Sequence, residues 1–558
     1  MDAIFSTCIG YQVLPGKTVN SFNKRERKNN MLKKLRIQNF KIWEDTGTIR
    51  LAPLTLLFGA NSSGKSSIGQ FLLMLKQTVE SRSQDVFYLG DSNSAVQLGS
   101  YEDIIFQRDM QKQIKFEYQW SSQLPIRLIN PDPYQMFSGD DLAFQAEVGS
   151  HSLTRRPQVK RLNYKLIAAN GKTQLSFGMK IRSHTRGYYE LESPNFTIKM
   201  ISGMANRSYS TLPQYSPDHF YGFPRQLITA YQNQNIFREF NETHEEFFSN
   251  LFYLGPIRME VNRLYENAGG IPESVGYKGE DTIAAILAAK AKDKIFEERE
   301  DRFEHRITSR LKQIGLIEDL KIKEFSDRVC EIKVQTKGSK TWVELPDVGF
   351  GVSQVLPVLV QCFYAPEGSI ILIDQPEVHL HPYAQSALAD VMIDVIKNRN
   401  IQLIIETHSE HFLRRLQRRI AEDKLTQDHV SAYFANINPV PLNEIEEISE
   451  ERRNSLEKAG ILSANDLSRT SLSTLLEIPN IAETRAKFLH EIAEKNVEKK
   501  ERAKLEPLDI DEYGNIRNWP ENFFGDEMED ILARAKAEIE GQKAEIERQK
   551  AEIERQKK

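Results

Sequence analysis

The chain has 558 residues, of which 74 are Lys or Arg and 78 are Asp or Glu, for a formal net charge of −4. At roughly 150 residues per domain this accommodates two to four structural units, and the balance of charge excludes a polycation that coats nucleic acid nonspecifically. Cys8, Cys330 and Cys362 are too few and too scattered for a disulfide framework or a zinc site and fit a reducing cytoplasm, no apolar stretch approaches the ~20 residues of a membrane span, and the N-terminus lacks a secretory pattern.

Residues 1–30 read as a poorly ordered extension that ends in a basic polar run, with Met31 a candidate alternative start. Residues 31–109 are expected to form a first lobe. Leu32 to Phe40 is strand-like, and a second apolar run holds Leu54, Leu56, Leu57 and Phe58. It leads into Gly59-Ala60-Asn61-Ser62-Ser63-Gly64-Lys65-Ser66-Ser67, followed by a helical pattern at Ile68, Phe71, Leu72 and Leu75. Strand, G-x-x-x-x-G-K-[ST] and helix together are the context of a phosphate loop. The glycines let backbone N–H groups turn inward onto phosphate oxygens. Lys65 is expected to reach the β- and γ-phosphates and Ser66 to ligate Mg²⁺. ATP and Mg²⁺ are the expected cofactors.

Residues 110–345 read as an insertion, β-rich and then helical. Leu162, Tyr164 and Leu166 alternate with polar residues, and Asn170-Gly171 marks a hairpin. Residues 225–315 are mostly helical around a break at Leu254-Gly255-Pro256-Ile257-Arg258, with one Ala-, Lys-, Glu- and Arg-rich helix over 283–312. Strands return near 320–345.

Residues 346–444 form the expected second lobe, a parallel α/β unit. Ile370–Ile373 and Leu403–Ile405 are short apolar runs suited to strands buried on both faces. The first ends in Asp374, a Walker B pattern whose acid holds Mg²⁺ directly or through water. Residues 445–495 are a separate helical block and 496–530 a further C-terminal segment. Residues 531–558 form a terminal helix with the repeat Lys-Ala-Glu-Ile-Glu-Arg-Gln, which fills only one strong apolar position per heptad and so reads as long, charged and exposed.

Three further strings join the phosphate loop: Asp347-Val348-Gly349-Phe350-Gly351-Val352-Ser353-Gln354, then Gln375-Pro376-Glu377-Val378-His379-Leu380-His381-Pro382, then Thr407-His408-Ser409-Glu410. This ordered set resembles the ABC/SMC-like bacterial AAA ATPases of the overcoming-lysogenization-defect (OLD) branch, and is similar to the ATPase subunits of Septu and retron-associated anti-phage systems. The resemblance covers roughly 31–110 and 250–440, with Trp519-Pro520-Glu521-Asn522-Phe523-Phe524 near the C-terminus. It implies an α/β fold, an ABC-type P-loop NTPase head with a β-rich and helical insertion, plus a small helix–hairpin–helix-like block and the terminal charged helix. It also implies that His408 senses the γ-phosphate and that Ser353 lies on a signature loop completing the site of the opposite protomer. Two ATPs are then sandwiched between two heads, in a homodimer or higher oligomer.

The residue after the Walker B acid is usually a Glu that acts as general base, and here it is Gln375. An amide can orient water but cannot take its proton, and losing a general base costs ~10²–10⁴-fold in rate. Slow hydrolysis, substitution by Glu377, and tolerance of the amide all remain open. The candidate catalytic residues are therefore Gln375, Glu377 and His408. His379 and His381 lack a nearby third ligand for a metal. Asp509-Ile510-Asp511 matches a nuclease D-x-D only superficially, and Asp511 to Asn515 reads as a hairpin turn. Arg414, Arg415, Arg418 and Arg419 suit either phosphate contact or a solvated helix face. Residues 451–493 resemble a helix–hairpin–helix module in which Asn480 and Ala482 replace the usual hairpin glycines, leaving DNA contact, protein docking and plain packing open.

The leading expectation is an ATPase subunit of an anti-phage system that controls a separate nuclease, of HNH type, with a reverse transcriptase and its RNA/DNA as a further partner. A RecF-like repair or recombination ATPase that grips DNA directly is the alternative, and a nearly inactive ATP-binding scaffold a third reading.

Overall fold

The computed structural model describes residues 30–520 except 132–133, 183–188, 202–215, 267–268, 296–301, 327–328, 439–441, 446, 477, 480 and 501. The expectations for residues 1–29, for Glu521 to Phe524 and for the terminal heptad helix lie outside these.

The chain opens with β1 (Met31–Phe40), β2 (Trp43–Asp45), β3 (Ile49–Arg50) and β4 (Leu54–Gly59), then α1 (Lys65–Glu80) and a short α2 (Tyr101–Ile104). Five antiparallel strands follow: β5 (Ile114–Pro131), β6 (Tyr134–Ser150), β7 (Pro157–Ile167), β8 (Thr173–Ile181) and β9 (Tyr189–Glu192). They join β1, β2 and β3 in an eight-stranded sheet in which β1 pairs with β5. The sheet thus runs across the boundary drawn at 109/110. The expected hairpin is formed by β7 and β8, with Gly171 at φ +79° in its turn, a conformation that glycine adopts without steric cost.

After α3 (Arg225–Ile228) and α4 (Gln234–Ser249) comes β10 (Leu251–Leu254). β11 (Tyr265–Glu266), α5 (Thr282–Ile295), α6 (Phe303–Ile314), β12 (Asp319–Ser326), β13 (Val329–Gln335) and β14 (Trp342–Glu344) complete this part. The single helix expected over 283–312 is two, because its pattern belongs to α5 and α6. The second lobe contains α7 (Phe350–Tyr364), β15 (Ile370–Asp374), α8 (Pro382–Asn398), β16 (Gln402–Glu406), α9 (Glu410–Ala421) and β17 (Val430–Asn438). Four helices follow, α10 (Glu450–Lys458), α11 (Ala464–Arg469), α12 (Leu472–Leu476) and α13 (Glu483–Lys500), and then β18 (Arg502–Pro507).

The six-stranded sheet has the order β10-β15-β16-β4-β17-β18. All neighbours are parallel except β17 and β18. Residues 251–254, inside the span expected to be inserted, therefore supply a strand of this sheet. The central strands β15, β16 and β4 are apolar on both sides because each face has its own core. Leu57, Ile370, Leu372 and Ile404 pack with α1, α4 and the antiparallel sheet. Leu56, Ile371, Ile373, Leu403 and Ile405 pack with helices α5 to α9. This is the layering that buries a parallel sheet. Phe71 of α1 bridges to the antiparallel sheet through Phe40 and Phe116, each edge-to-face at 5.1 Å.

His244 of α4 fastens the antiparallel sheet from within. It is fully buried. The Tyr164 hydroxyl donates to the Tyr221 carbonyl (3.1 Å), so it accepts from His244 Nδ1 (2.9 Å). Tyr118 then donates to Nε2 (2.8 Å). This network needs the neutral imidazole, and burial drives the His244 pKa well below its ordinary value.

Helices α10 to α13 enclose a separate small core containing Leu456, Ile461, Leu467, Leu475, Ile481 and Leu489. The block is inserted between β17 and β18, which pair from Asn438 and Arg502 onward. Asn480 lies outside the described residues. Among the described residues no helix is long and apolar enough to cross a membrane.

Candidate nucleotide-binding site

The phosphate loop joins β4 to α1. Gly59 (φ +141°) and Gly64 (φ +93°) hold backbone conformations that side chains resist, and Ser62 is at φ +62°. A Cβ at Gly59 would collide with the carbonyl oxygen of Ala435, and one at Gly64 would stand 2.6 Å from the Ile42 side chain. The loop is thus wedged between β17 and the segment after β1. No side chain caps α1, and no acid sits in its first turn. Its leading N–H groups and the positive end of its dipole are open to an anion. Ser63 Oγ is buried without a hydrogen-bond partner. Lys65 folds back over the loop, donating to Gly59 O (2.9 Å) and Ala60 O (2.6 Å), and burial lowers its pKa. An unpaired hydroxyl, an uncapped helix and a lysine held only by carbonyls fit a polyphosphate.

Two carboxylates meet this loop. β15 and β16 are in register at Asp374 and Glu406. Ser66 Oγ donates to Glu406 Oε1 at 3.0 Å. Asp374 Oδ2 accepts from the Tyr253 hydroxyl (2.8 Å), and Arg258 donates to the Asp374 carbonyl (3.1 Å). Burial, then repulsion by Glu406, pushes the Asp374 carboxyl up to about 7, and burial also raises that of Glu406. Desolvation of Arg258 brings its guanidinium down to about 10. Three acids (Asp374, Glu377, Glu406) thus stand among two cations (Lys65, Arg258). Crowded acids beside a serine hydroxyl and a phosphate cradle suit Mg²⁺, which is bound through one or two carboxylates plus phosphate oxygens.

A cleft of about 340 Å³ lies over the loop, walled by Asn61 to Ser67 on one side and by Gln375, Glu406 and His408 on the other. Gln375 takes a left-handed backbone (φ +47°), and its N–H donates to Glu406 O (2.8 Å). Glu377 lies behind this wall, 6% exposed. Its Oε1 accepts from the Thr407 hydroxyl (2.7 Å) and from the His408 N–H (2.8 Å), while Oε2 has no partner. His408 is exposed at the cleft, and partial desolvation of its ring, then the charge of Lys65, lower its pKa. Ser353 sits in the first turn of α7, donating to Phe350 O (2.8 Å), and does not line this cleft.

The sequence reading missed Glu406, Tyr253 and Arg258. Glu406 had a signal, since Leu403–Ile405 ends in an acid just as Ile370–Ile373 does. Tyr253 and Arg258 had none, because they arrive from β10 and the loop after it.

The other candidate clusters are accounted for by local contacts. Arg414 pairs with Glu410, Arg418 with Glu422, and Arg415 and Arg419 with Asp390. His381 caps α8, accepting from the Tyr383 N–H (3.3 Å). His379 is exposed, its ring 5.9 Å from that of Phe350. Asp511 accepts from the N–H groups of Tyr513 and Asn515, and Ile510 bridges to Ile516 around Gly514 at φ +81°, so this segment is a turn.

Comparison with solved structures finds SMC heads. One, bound to the C-winged helix domain of ScpA, aligns over 73% of this chain and 94% of that one, at 11% identity and a TM-score of 0.34. A head with an extended coiled coil, bound to the C-terminal domain of ScpA from Pyrococcus furiosus, covers 73% and 93% at 12% and 0.34. The head from Thermotoga maritima covers 73% and 95% at 12% and 0.29. No curated protein matches the chain in sequence. A family model described as "protein of unknown function (DUF3696)" matches residues 492–533, which include β18. The model described as "AAA ATPase domain" (AAA_15) matches residues 31–413, from the start of β1 into α9. That span covers well over half of the sequence and includes the phosphate loop, Asp374, Glu406 and His408, so the chain belongs to the AAA ATPase domain family.

Proposed function

We propose that this protein binds and hydrolyses ATP with Mg²⁺ as a subunit of a bacterial anti-phage defence system of retron or Septu kind. In this reading it closes as a dimer around ATP and controls a separate nuclease. The observation that carries the ATPase reading is the convergence on one cleft of an uncapped helix N-terminus, Lys65, Ser66, an acidic strand end and His408. Lys65, the backbone of Asn61 to Gly64, and the hydroxyls of Ser63 and Ser67 hold the phosphates. Ser66 and the carboxylates beside it hold Mg²⁺, which when bound supplies charge neutralisation on the phosphates. His408 faces the γ-phosphate, and Gln375 orients the attacking water.

Glu377 is read as a positioning residue. It is buried behind the wall and spends one oxygen on the two groups that set the His408 loop. Ser353, away from its own protomer's cleft, is read as completing that of a second copy.

The defence assignment is supported by the motif string Pro376-Glu377-Val378-His379-Leu380-His381-Pro382. A RecF-like ATPase gripping DNA is less well supported. The arginines of α9 are engaged with acids, and acids outnumber bases in the helical block over 442–500. Affinity purification of the full chain from its native operon, with mass spectrometry of what accompanies it, tests the assignment. A nuclease or reverse transcriptase is expected. Recovery of chromosomal DNA alone, lost at high salt, would favour the repair reading.

A further inference from the structure

The motif pattern leaves Glu406 without a role, yet β16 puts it at the centre of the site. This strand lies between β15 and β4, and Glu406 stands level with Asp374 on one side and Leu57 on the other. Its side chain is 7% exposed, lines the cleft, and accepts from Ser66 at 3.0 Å. Its one side-chain hydrogen bond is to a neutral hydroxyl, and the nearby Lys65 spends its donors on the Gly59 and Ala60 carbonyls, so a buried carboxylate here still lacks a directly bonded cation.

Asp374 is committed elsewhere. One carboxylate oxygen takes the Tyr253 hydroxyl, Arg258 holds its carbonyl, and it does not line the cleft. The separation of Ser66 Oγ and Glu406 Oε1 matches the roughly 3.0 Å between neighbouring oxygens around an octahedral Mg²⁺ with bonds of about 2.1 Å. The unpartnered, buried Ser63 hydroxyl in the same cleft independently points to a phosphate there.

We infer that Glu406 is the carboxylate that meets Mg²⁺ beside Ser66, and that Asp374 acts from behind it through Tyr253 and Arg258. This rests on the ATP reading above. The test is equilibrium binding of a fluorescent ATP analogue to the full chain, titrated with Mg²⁺ from EDTA. Glu406→Gln keeps an acceptor for Ser66 and removes the charge. It is expected to retain nucleotide binding without Mg²⁺, strengthened by the loss of a negative charge beside the phosphates, and to raise the Mg²⁺ midpoint at least ~10-fold, about one charge-assisted contact. Asp374→Asn is expected to move it less. Should Glu406→Gln fail to fold, Glu406→Asp, whose carboxylate is withdrawn by one methylene, is expected to raise the midpoint too. A wild-type midpoint in the folded Glu406 variant, or a larger shift in Asp374→Asn, overturns the inference while nucleotide binding stands. A wild-type chain that binds no nucleotide overturns the ATP reading and this inference together.

Discussion

Glu377 separates two mechanisms that its position in the motif leaves open. As a general base it must hand an oxygen to the attacking water. As a positioning residue it must hold Thr407 and the His408 N–H. The two substitutions that decide this act oppositely on its one engaged oxygen. In Glu377→Gln the amide oxygen still accepts both hydrogen bonds, and the NH₂ replaces the partnerless Oε2. In Glu377→Ala both donors lose their acceptor, and bonds to a charged group contribute ~1.5–3 kcal/mol each, so roughly 3–6 kcal/mol of loop organisation is at stake. Positioning therefore predicts kcat within about tenfold of wild type for Glu377→Gln and a fall of ~100-fold or more for Glu377→Ala. A base predicts a fall of ~10²–10⁴-fold for both. The assay is steady-state phosphate release at saturating ATP, with nucleotide affinity measured in parallel. A loss of ~100-fold or more in Glu377→Gln at unchanged affinity would refute the positioning role.

Lys65→Ala should weaken binding of a fluorescent ATP analogue by ~10²–10⁴-fold, abolishing detectable binding, since two charge-assisted phosphate contacts are lost; unchanged affinity would remove the phosphate role from this loop. Ser353→Arg should abolish ATP-dependent dimerisation in light scattering while leaving nucleotide binding by the monomer intact; an unaffected dimer would place association on another surface. His244 has a folded pKa well below the unfolded value near 6.5, so it contributes stability above that pH. This stability drains away as pH falls below about 6.5, by at most ~1.4 kcal/mol per pH unit, because the unfolded chain takes the proton first. His244→Gln should therefore have a lower Tm at pH 7.5 but a shallower decline between pH 6.5 and 5; an identical slope would assign the acid sensitivity to other groups.

What was legible in the sequence was local. The runs Ile370–Ile373 and Leu403–Ile405 are strands whose composition follows from burial on both faces, and the phosphate loop carries the glycines that its backbone requires. The Asn170-Gly171 turn and the helical block carry their signals within a few residues. What was not legible depends on distant pairing. β10 is four residues embedded between helical patterns, and only its parallel match to β15 makes it a strand of the ATPase sheet. β1 and β5 pair across an intervening phosphate loop and helix. β18 returns to β17 after the whole helical block, so the sheet edge is built from the far end of the chain. Tyr253 and Arg258 reach Asp374 by that same long-range route, which no periodicity announces.

The most direct test of the account is phosphate release from ATP by the purified full chain, with Mg²⁺ and with EDTA. The account predicts saturable release with Mg²⁺, none with EDTA, and none from Lys65→Ala under either condition. Release that persists in EDTA or in Lys65→Ala, or no release and no nucleotide binding by the wild type, would contradict it.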